Sequence, residues 1–477
     1  MSGRTGLAAL RERLGGLFKD QSELDLTEGS IGWPLFYLSL PIVVTNLLQT
    51  AYNLADTFWL GQYSTEALAA ISFAFPMVFL LIALGMGLSV AGSILVAQHV
   101  GAGEEDEAEY AASQTVTFSV LASLVLGGLG YFAVGDFLEL LGASPEVLPG
   151  AEAYMQVISL GIVFMFGFFV FIALMRGYGD TVTPMLVMAG TVAVNVALDP
   201  FLIFGWGPFA PRGIEGAAIA TIFSRALAMS VGIVIMLRGT RGVRIRPEYM
   251  KPDLQYLKKI LRIGIPASIE GTGRALSVNL LLYVVALFPT TVVAAYGVGT
   301  RVFSVIFLPA IAVARGVETM SGQNIGAGKP DRAEAANHFG AKVMFFVLAV
   351  MGVVIWLTAA PIVGVFTDDP EVVEVGTTFL RYVAPSFGFI GVMRAYTGGF
   401  RGAGKTLTAA AISIFMLGVV RLPVAWVGAI NIGSDGIWIA FLVSNVVGAV
   451  AAFLWFRRGT WRGVDLTEDE VGMPADD

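Results

Sequence analysis

A single carboxylate interrupts one of the most apolar stretches of the chain. Asp199 lies in residues 181–206, where nearly every other residue is apolar or small, as in a membrane span. An ionised Asp near the bilayer centre costs roughly 2.5 to 3.5 kcal/mol, so such a residue normally faces a polar cavity. Asn195 lies one helical turn earlier on the same face, and Pro200 disfavours helical dihedrals at Asp199 and leaves carbonyl oxygens unbonded. These groups predict a site for a cation, a proton donor or water.

A second carboxylate lies in the first predicted span. Four polar residues there share one helical face, because they are spaced three, four and three apart: Asn46, Gln49, Asn53 and Asp56. Tyr52 lies one turn before Asp56. At about 1.5 Å per residue, Asp56 and Asp199 reach depths that agree within roughly 6 Å. We therefore expect both carboxylates in the outer half of the same lobe.

Two carboxylates in a poorly solvated pocket oppose each other's ionisation, since burial and like charge both penalise it. Such a pair suits proton uptake on one side of a membrane and release on the other. The same oxygens are also hard ligands, which predicts a possible Na+ site at Asp56, Asn195, Asp199 and Thr221. The structural alternative is an ion pair with Arg225, one turn beyond Thr221. We favour the functional interpretation.

The composition is that of an all-α integral membrane protein. Of 477 residues, 56% are hydrophobic and 14% charged, with a mean hydropathy of +0.76. The absence of Cys excludes thiolate chemistry and disulfides, and two His residues disfavour metal enzymology. A net charge of −7 disfavours nucleic-acid binding. We expect no cofactor.

Apolar runs of about 20 residues predict about twelve spans in two sets of six. The spans are expected near residues 33–60, 66–97, 109–134, 151–176, 181–205 and 213–238, and then near 256–288, 291–318, 333–360, 374–400, 405–430 and 435–457. The joint between the sets is rich in Lys and Arg, which places it and both termini in the cytoplasm of a cell-membrane protein. The domains follow as a leader (1–30), an N-lobe (31–240), a basic linker (241–255), a C-lobe (256–460) and an acidic tail (461–477).

Leu7, Leu10, Leu14 and Leu17 could stripe one face of a helix lying on the membrane, or the leader is a free tail; both interpretations stay open.

An internal repeat relates the two sets. Gln-His-Val-Gly-Ala-Gly at residues 98–103 recurs as Gln-Asn-Ile-Gly-Ala-Gly at 323–328, and Arg-Gly-Tyr-Gly-Asp-Thr at 176–181 recurs as Arg-Gly-Ala-Gly-Lys-Thr at 401–406. Each copy lies 225 residues further on, as Pro266 does from Pro41. An even number of spans per copy predicts two lobes related by a pseudo-twofold axis along the membrane normal, with a cavity between them.

The second copy differs in its chemistry. Positions equivalent to Asp56 and Asp199 are Leu281 and Val424. Glu270 and Arg274, one turn apart, are expected to neutralise each other, which we prefer over a role in substrate binding. Four other arginines lie at or inside spans, and some of them are expected to bond helix ends or acids such as Glu318: Arg301, Arg315, Arg394 and Arg421. Possible polar cavity residues are therefore Asn46, Gln49, Asn53, Glu270 and Arg274.

Two catalytic motif matches are rejected. Residues 399–406 satisfy the phosphate-loop pattern, but no strand or nucleotide domain precedes them. Residues 177–180 satisfy the Gly-x-Gly-Asp pattern of intramembrane aspartyl proteases, but Asp180 is replaced by Lys405 in the repeat. The two matches lie in the two copies of one repeated segment that joins neighbouring spans.

The chain resembles the multidrug and toxic compound extrusion family, and most closely its DinF-like prokaryotic and archaeal branch. The resemblance rests on the two sets of six spans, Pro41, Tyr-Asn-Leu-Ala-Asp-Thr at residues 52–57, both repeated joints and residues 195–200. It implies an antiporter that exports organic cations and other amphipathic compounds in exchange for H+ or Na+. It also implies that the family's cation site falls on Asp56, Asn195, Asp199 and plausibly Thr221, with Tyr52 in the hydrogen-bond network and Pro41 as a bending point.

Some expectations concern partners and alternatives. The NorM-like branch has a second acidic site in its C-lobe, where this chain offers only Glu270 without an acidic partner in the tenth span. The expected partners are small amphipathic substrates and the lipid bilayer, and the expected state is a monomer. One alternative is a lipid-linked oligosaccharide or peptidoglycan-precursor flippase of the same superfamily, which would need a more cationic cavity. A membrane-embedded enzyme would need a paired catalytic constellation that the sequence does not show.

Overall fold

The chain is almost entirely helical. The computed structural model describes residues 24–140, 145–463 and 466–467, and these ranges contain no β-strand. Leu7, Leu10, Leu14 and Leu17, proposed for a helix on the membrane, lie outside the described residues, as does most of the acidic tail.

The described part of the first half contains seven helices: α1 (Gly32–Tyr63), α2 (Thr65–Ala102), α3 (Glu105–Leu140), α4 (Leu148–Leu160), α5 (Ile162–Tyr178), α6 (Val182–Phe204) and α7 (Gly213–Arg238). Each predicted span corresponds to one helix except the fourth. That span consists of α4 and α5, which are bent by 55° at Gly161.

The second half contains nine: α8 (Leu254–Val285), α9 (Thr290–Gly326), α10 (Pro330–Leu357), α11 (Ala359–Gly364), α12 (Pro370–Val383), α13 (Phe387–Gly402), α14 (Thr406–Ile414), α15 (Leu422–Ile432) and α16 (Ser434–Arg457). A π-helical segment, Phe415–Arg421, joins α14 to α15 within one span. A short 3₁₀ turn, Ala384–Ser386, joins α12 to α13.

Nine of the described spans are long and apolar enough to cross a bilayer, and the bent pair α4 and α5 makes a tenth. Helix α8 and the pair α12 and α13 occupy the positions predicted for spans seven and ten. They are more polar because they carry charged residues such as Glu270, Arg274, Arg394 and Arg401. The prediction of a twelve-span, all-α membrane protein is confirmed.

The chain divides into two compact units. Unit 1 contains residues 40–100 and 104–268, and unit 2 contains residues 25–39, 101–103 and the chain from Ile269. The divisions within α1 and α8 fall between Ser39 and Leu40 and after Ser268, beside the repeated Pro41 and Pro266. The boundaries expected for the lobes and linker stay a prediction.

Each unit has its own apolar core. In unit 1 the buried cluster includes Ile71, Leu138, Met155 and Phe166. In unit 2 one cluster centres on Phe379 and Trp438, whose ring centroids are 4.3 Å apart. Large apolar side chains such as Phe132, 84% exposed, cover the outer surface, as expected where the surrounding solvent is lipid.

The basic linker is anchored on α3. Gln114 Nε2 donates to the carbonyl oxygens of Tyr249 and Lys251 at 2.6 and 2.7 Å. Arg246 forms ion pairs with Asp106 and Glu109. Tyr110 donates to the Asp253 carboxylate at 2.8 Å, which lowers the pKa of that carboxyl group. These contacts set the start of α8.

The same close backbone contact occurs once in each copy of the internal repeat. A Cβ atom on Gly177 would lie 2.3 Å from the carbonyl oxygen of Ser93, and one on Gly402 would lie 2.3 Å from that of Glu318. Both residues of the second contact lie 225 positions after those of the first. The repeated Arg-Gly joint therefore needs glycine because a neighbouring helix backbone touches it.

We expect Gly177→Ala and Gly402→Ala each to destabilise the protein by about 1 to 3 kcal/mol, because the added methyl group overlaps a backbone carbonyl that cannot move alone. Thermal unfolding of detergent-solubilised protein measures the effect. Gly128→Ala is the control, since a Cβ atom at this exposed position of α3 would have no neighbour within 4 Å and helix propensity alone favours Ala. Equal melting temperatures for all three variants would contradict the close approach.

Candidate functional site

Three helices of unit 1 bring the predicted site residues together. Helix α1 supplies Tyr52 and Asp56, α6 supplies Asn195 and Asp199, and α7 supplies Thr221. All five are buried, with exposed fractions between 0% and 5%. Residues far apart in sequence therefore form one polar cluster inside a membrane-spanning bundle.

The two carboxyl groups lie close enough to interact electrostatically, and both are buried. Thr221 Oγ1 donates to Asp56 Oδ2 at 3.5 Å, and Asn195 Nδ2 donates to Asp199 Oδ1 at 3.3 Å. Two ionised carboxylates this close in a poorly solvated pocket repel each other, so a proton or a cation stabilises the pair.

Three acceptor oxygens at this site lack a donor. Asp56 Oδ1, Asn195 Oδ1 and Asp199 Oδ2 are buried and have no hydrogen-bond partner among the described residues. Buried acceptors are normally satisfied, so these oxygens fit a proton, a water molecule or a cation. Carboxylate, amide and hydroxyl oxygens are hard ligands that suit Na+. The described residues include no cluster of three acidic, His or Cys side chains that would suit a transition metal.

Pro200 does not end the helix. Helix α6 runs from Val182 to Phe204 with Pro200 inside it, so Asp199 is helical, contrary to the expectation from the sequence. Packing in the bundle outweighs the local preference of the residue before proline. Pro200 still lacks an N–H group, so the Val196 carbonyl, one turn earlier, cannot receive the usual helical bond.

Arg225, the structural alternative as a partner for the acids, forms no direct ion pair with either of them among the described residues. Its Nη2 donates to Gln49 Oε1 at 2.8 Å, and its guanidinium group lies 4.7 Å above the Tyr52 ring. Gln49 also donates to Asn53 at 3.1 Å. Arg225 therefore fixes the neighbouring turn of α1 and leaves both carboxyl groups for another cation.

Tyr154 was missed by the sequence interpretation. It lies on α4, is 4% exposed, and interacts electrostatically with Asp56, Asp199 and Tyr52. Its position depends on the bend between α4 and α5, for which a lone Tyr in an apolar run gives no signal. The cluster thus includes a second buried phenol.

The other polar residues considered in the sequence analysis, Asn46, Asn53 and Asp180, differ from one another in burial and in hydrogen bonding. Asn46 is half-buried and its Nδ2 has no partner among the described residues, whereas Asn53 is exposed. Asp180 accepts from Thr183 at the start of α6, a helix-terminus role that agrees with rejecting the protease motif.

Glu270 and Arg274 do not form the predicted pair. Glu270, in unit 2, receives two hydrogen bonds from Arg401 at 3.0 and 3.1 Å and one from Ser413 at 2.8 Å. Glu270 binds Arg401 rather than Arg274, because the planar guanidinium group of Arg401 can donate to both oxygens of the carboxylate. Of the four arginines expected to bond helix ends or acids, Arg315 pairs with Glu318 at 2.8 Å.

We expect the ion that this site binds to stabilise the folded protein. At tenfold excess over its dissociation constant, such an ion contributes about 1.4 kcal/mol. Melting temperatures in sodium and in choline buffers, each at two pH values, identify the ion as the one that raises them. Asp199→Asn should abolish that rise, and Glu66→Gln, an exposed acid on α2, should keep it. A rise of equal size in Asp199→Asn would place the ion elsewhere.

Comparison with known proteins identifies the family. The family model described as MatE matches residues 41–201 and 266–427, which begin at Pro41 and Pro266. The probable multidrug resistance protein YpnP of Bacillus subtilis is 30% identical, over 93% of this chain and 98% of the relative. The FAD transporter of Shewanella oneidensis is 28% identical, over 91% and 96%. A crystal structure of MATE in the bent conformation is 25% identical with a TM-score of 0.86, over 93% of this chain and 98% of the other. Assignment to the DinF-like branch stays a prediction. This multi-pass membrane protein, whose relatives are transporters, therefore belongs to the MatE family of multidrug and toxic compound extrusion proteins.

Proposed function

We propose that this protein is a secondary active antiporter that exports organic cations and other amphipathic compounds in exchange for H+ or Na+. The observation that supports it best is the burial of the neighbouring Asp56 and Asp199 carboxyl groups, with unpartnered oxygens around them. The protein acts as a monomer in the cell membrane, with both termini in the cytoplasm and no cofactor besides the coupling ion. Transport, rather than catalysis, is its activity.

The coupling ion enters from outside and neutralises the carboxyl pair. Asp56 and Asp199 bind it, while Asn195 and Thr221 supply neutral oxygens and Tyr52 borders the site. Neutralisation allows the helices around the pocket to repack, because the cost of two buried like charges is removed. The cargo leaves from the outward-open state, and the ion is released inside after the protein reorients.

Ion binding supplies enough free energy to drive release of the cargo. A hundredfold difference in ion affinity between the two states corresponds to about 2.7 kcal/mol. By linkage, the same factor is then available to weaken cargo binding. One ion site is therefore enough to drive release of a moderately bound compound.

Coupling runs through unit 1. Unit 2 has Leu281 and Val424 where the first copy has its two acids. Its buried Glu270 is engaged by Arg401 and Ser413. The other buried carboxylate near it, Glu318, is likewise bound by Arg315 and Arg401, so both are already neutralised by arginines.

FAD is a second candidate cargo, because the Shewanella relative is named an FAD transporter. Vesicles loaded with FAD test it under the same gradients as vesicles loaded with an organic cation.

We expect efflux of a fluorescent organic cation from proteoliposomes to follow one imposed gradient, H+ or Na+. Asp56→Asn and Asp199→Asn should each reduce this efflux at least a hundredfold, because the ion no longer changes the charge of the pair. Glu66→Gln serves as the matched control for loss of one acid and should transport normally. Gradient-driven efflux that persists in both Asn variants would refute the assignment.

Pro41 is expected to act as the bending point of α1. The helix is continuous through Pro41, and the division between the compact units falls just before it. Pro41→Ala restores the missing N–H group and favours a straight helix. We expect efflux to slow about tenfold or more while ion stabilisation of the melting temperature is kept. Unchanged efflux would rule out a hinge at this residue.

A further inference from the structure

Unit 2 contains a compact group of charged side chains in its membrane-spanning helices. Glu270, Glu318, Arg394 and Arg401 are between 2% and 9% exposed. Arg274 and Arg315 are half-buried beside them. The group combines four guanidinium groups with two carboxylates, and its members interact electrostatically with one another.

Two of the arginines neutralise the two acids. Arg401 bridges Glu270 at 3.0 Å and Glu318 at 3.1 Å. Arg315 binds Glu318 at 2.8 Å. These four side chains, Glu270, Arg401, Glu318 and Arg315, form a continuous row of ion pairs with no net charge.

The other two arginines form no direct ion pair in the described part of the chain, although Glu270 interacts with both of them electrostatically. Neither Arg274 nor Arg394 forms an ion pair or donates a hydrogen bond within the described part of the chain. Arg394 is 7% exposed, its Nε has no partner, and its guanidinium group lies 5.3 Å from the Phe307 ring centroid. A buried, unpaired charge is strongly unfavourable. Two such charges next to a neutral network leave a net positive site.

We propose that Arg274 and Arg394 bind the anionic group of an amphipathic substrate, a carboxylate, sulfonate or phosphate. The guanidinium fork matches the oxygens of such groups, and Arg274 and Arg394 lie close enough to interact electrostatically. Phe307, beside Arg394, supplies an aromatic surface for the apolar part of the compound. This inference deepens the proposed export function: the cargo includes anionic or zwitterionic amphiphiles as well as cations.

Equilibrium binding to the full-length protein tests the site without any gradient. The protein is placed in phosphatidylcholine nanodiscs, and the probes are pyrenebutyrate and its neutral methyl ester, followed by fluorescence anisotropy. We expect the acid to bind at least tenfold more tightly than the ester. Arg274→Gln and Arg394→Gln should each weaken acid binding about tenfold or more and leave ester binding unchanged. Arg394→Lys, which keeps the charge, should retain part of the preference.

Two controls separate binding from folding. Arg381→Gln removes an exposed arginine that lies over Trp356 in the same unit and should not change binding. Arg394→Gln should melt at the same or a higher temperature, because it removes an uncompensated buried charge. A residue that merely supports packing would lower the melting temperature and weaken both probes alike.

The outcomes are decisive for each proposal. Equal affinity for acid and ester, or unchanged acid binding in both Gln variants, overturns the anion site. Displacement of the acid by a polyprenyl phosphate assigns the site to a lipid-linked phosphate, and failure of displacement assigns it to soluble amphiphiles. If the wild-type protein binds acid and ester equally but shows ion-driven efflux, the anion site alone is refuted. If the wild-type protein prefers the acid but shows no ion-driven efflux, antiport alone is refuted.

Discussion

The burial of the neighbouring Asp56 and Asp199 carboxyl groups is the constraint on which the rest of unit 1 depends. A buried pair of carboxyl groups with unpartnered oxygens is stable only when a proton or a cation joins it. The surrounding contacts follow from this need. Thr221 and Asn195 each bond one carboxylate oxygen, while Arg225 is held away from both acids by Gln49. A firm ion pair with Arg225 would have neutralised the site permanently and removed its capacity to respond to an ion.

The two copies of the repeat keep their backbone and differ in their charge. Gly177 against Ser93 and Gly402 against Glu318 are equivalent close contacts, so the joint between helices was retained. Yet Ser93 is neutral, whereas Glu318 in the second copy binds Arg315 and Arg401. The backbone contact allows only glycine, while the side chains around it are free to diverge. One unit thereby buries excess acid, and the other buries excess guanidinium groups.

The sequence was sufficient for the features that follow from local periodicity. Long apolar runs predicted twelve spans, and spacing along one helical face placed Asp56 with Tyr52 and Asp199 with Asn195. The same reasoning failed for partners across helices. It paired Glu270 with Arg274 because one helical turn is the nearest neighbour that a sequence displays. The structure pairs Glu270 with Arg401 instead, binds Arg225 to Gln49, and adds Tyr154 from α4, none of which has a local signal.

Separate ion and anion sites would determine how coupling works. A cation cargo that binds the carboxylates of unit 1 competes directly with the coupling ion, and charge alone then explains exchange. A cargo held by Arg274 and Arg394 uses other side chains than Asp56 and Asp199, so ion and cargo do not compete for the same ligands. Ion and cargo must then act on a shared conformational equilibrium, and each changes the other's affinity by the same factor. Helix α1 suits this role, because it carries Asp56 in unit 1 and begins in unit 2, with the division beside Pro41.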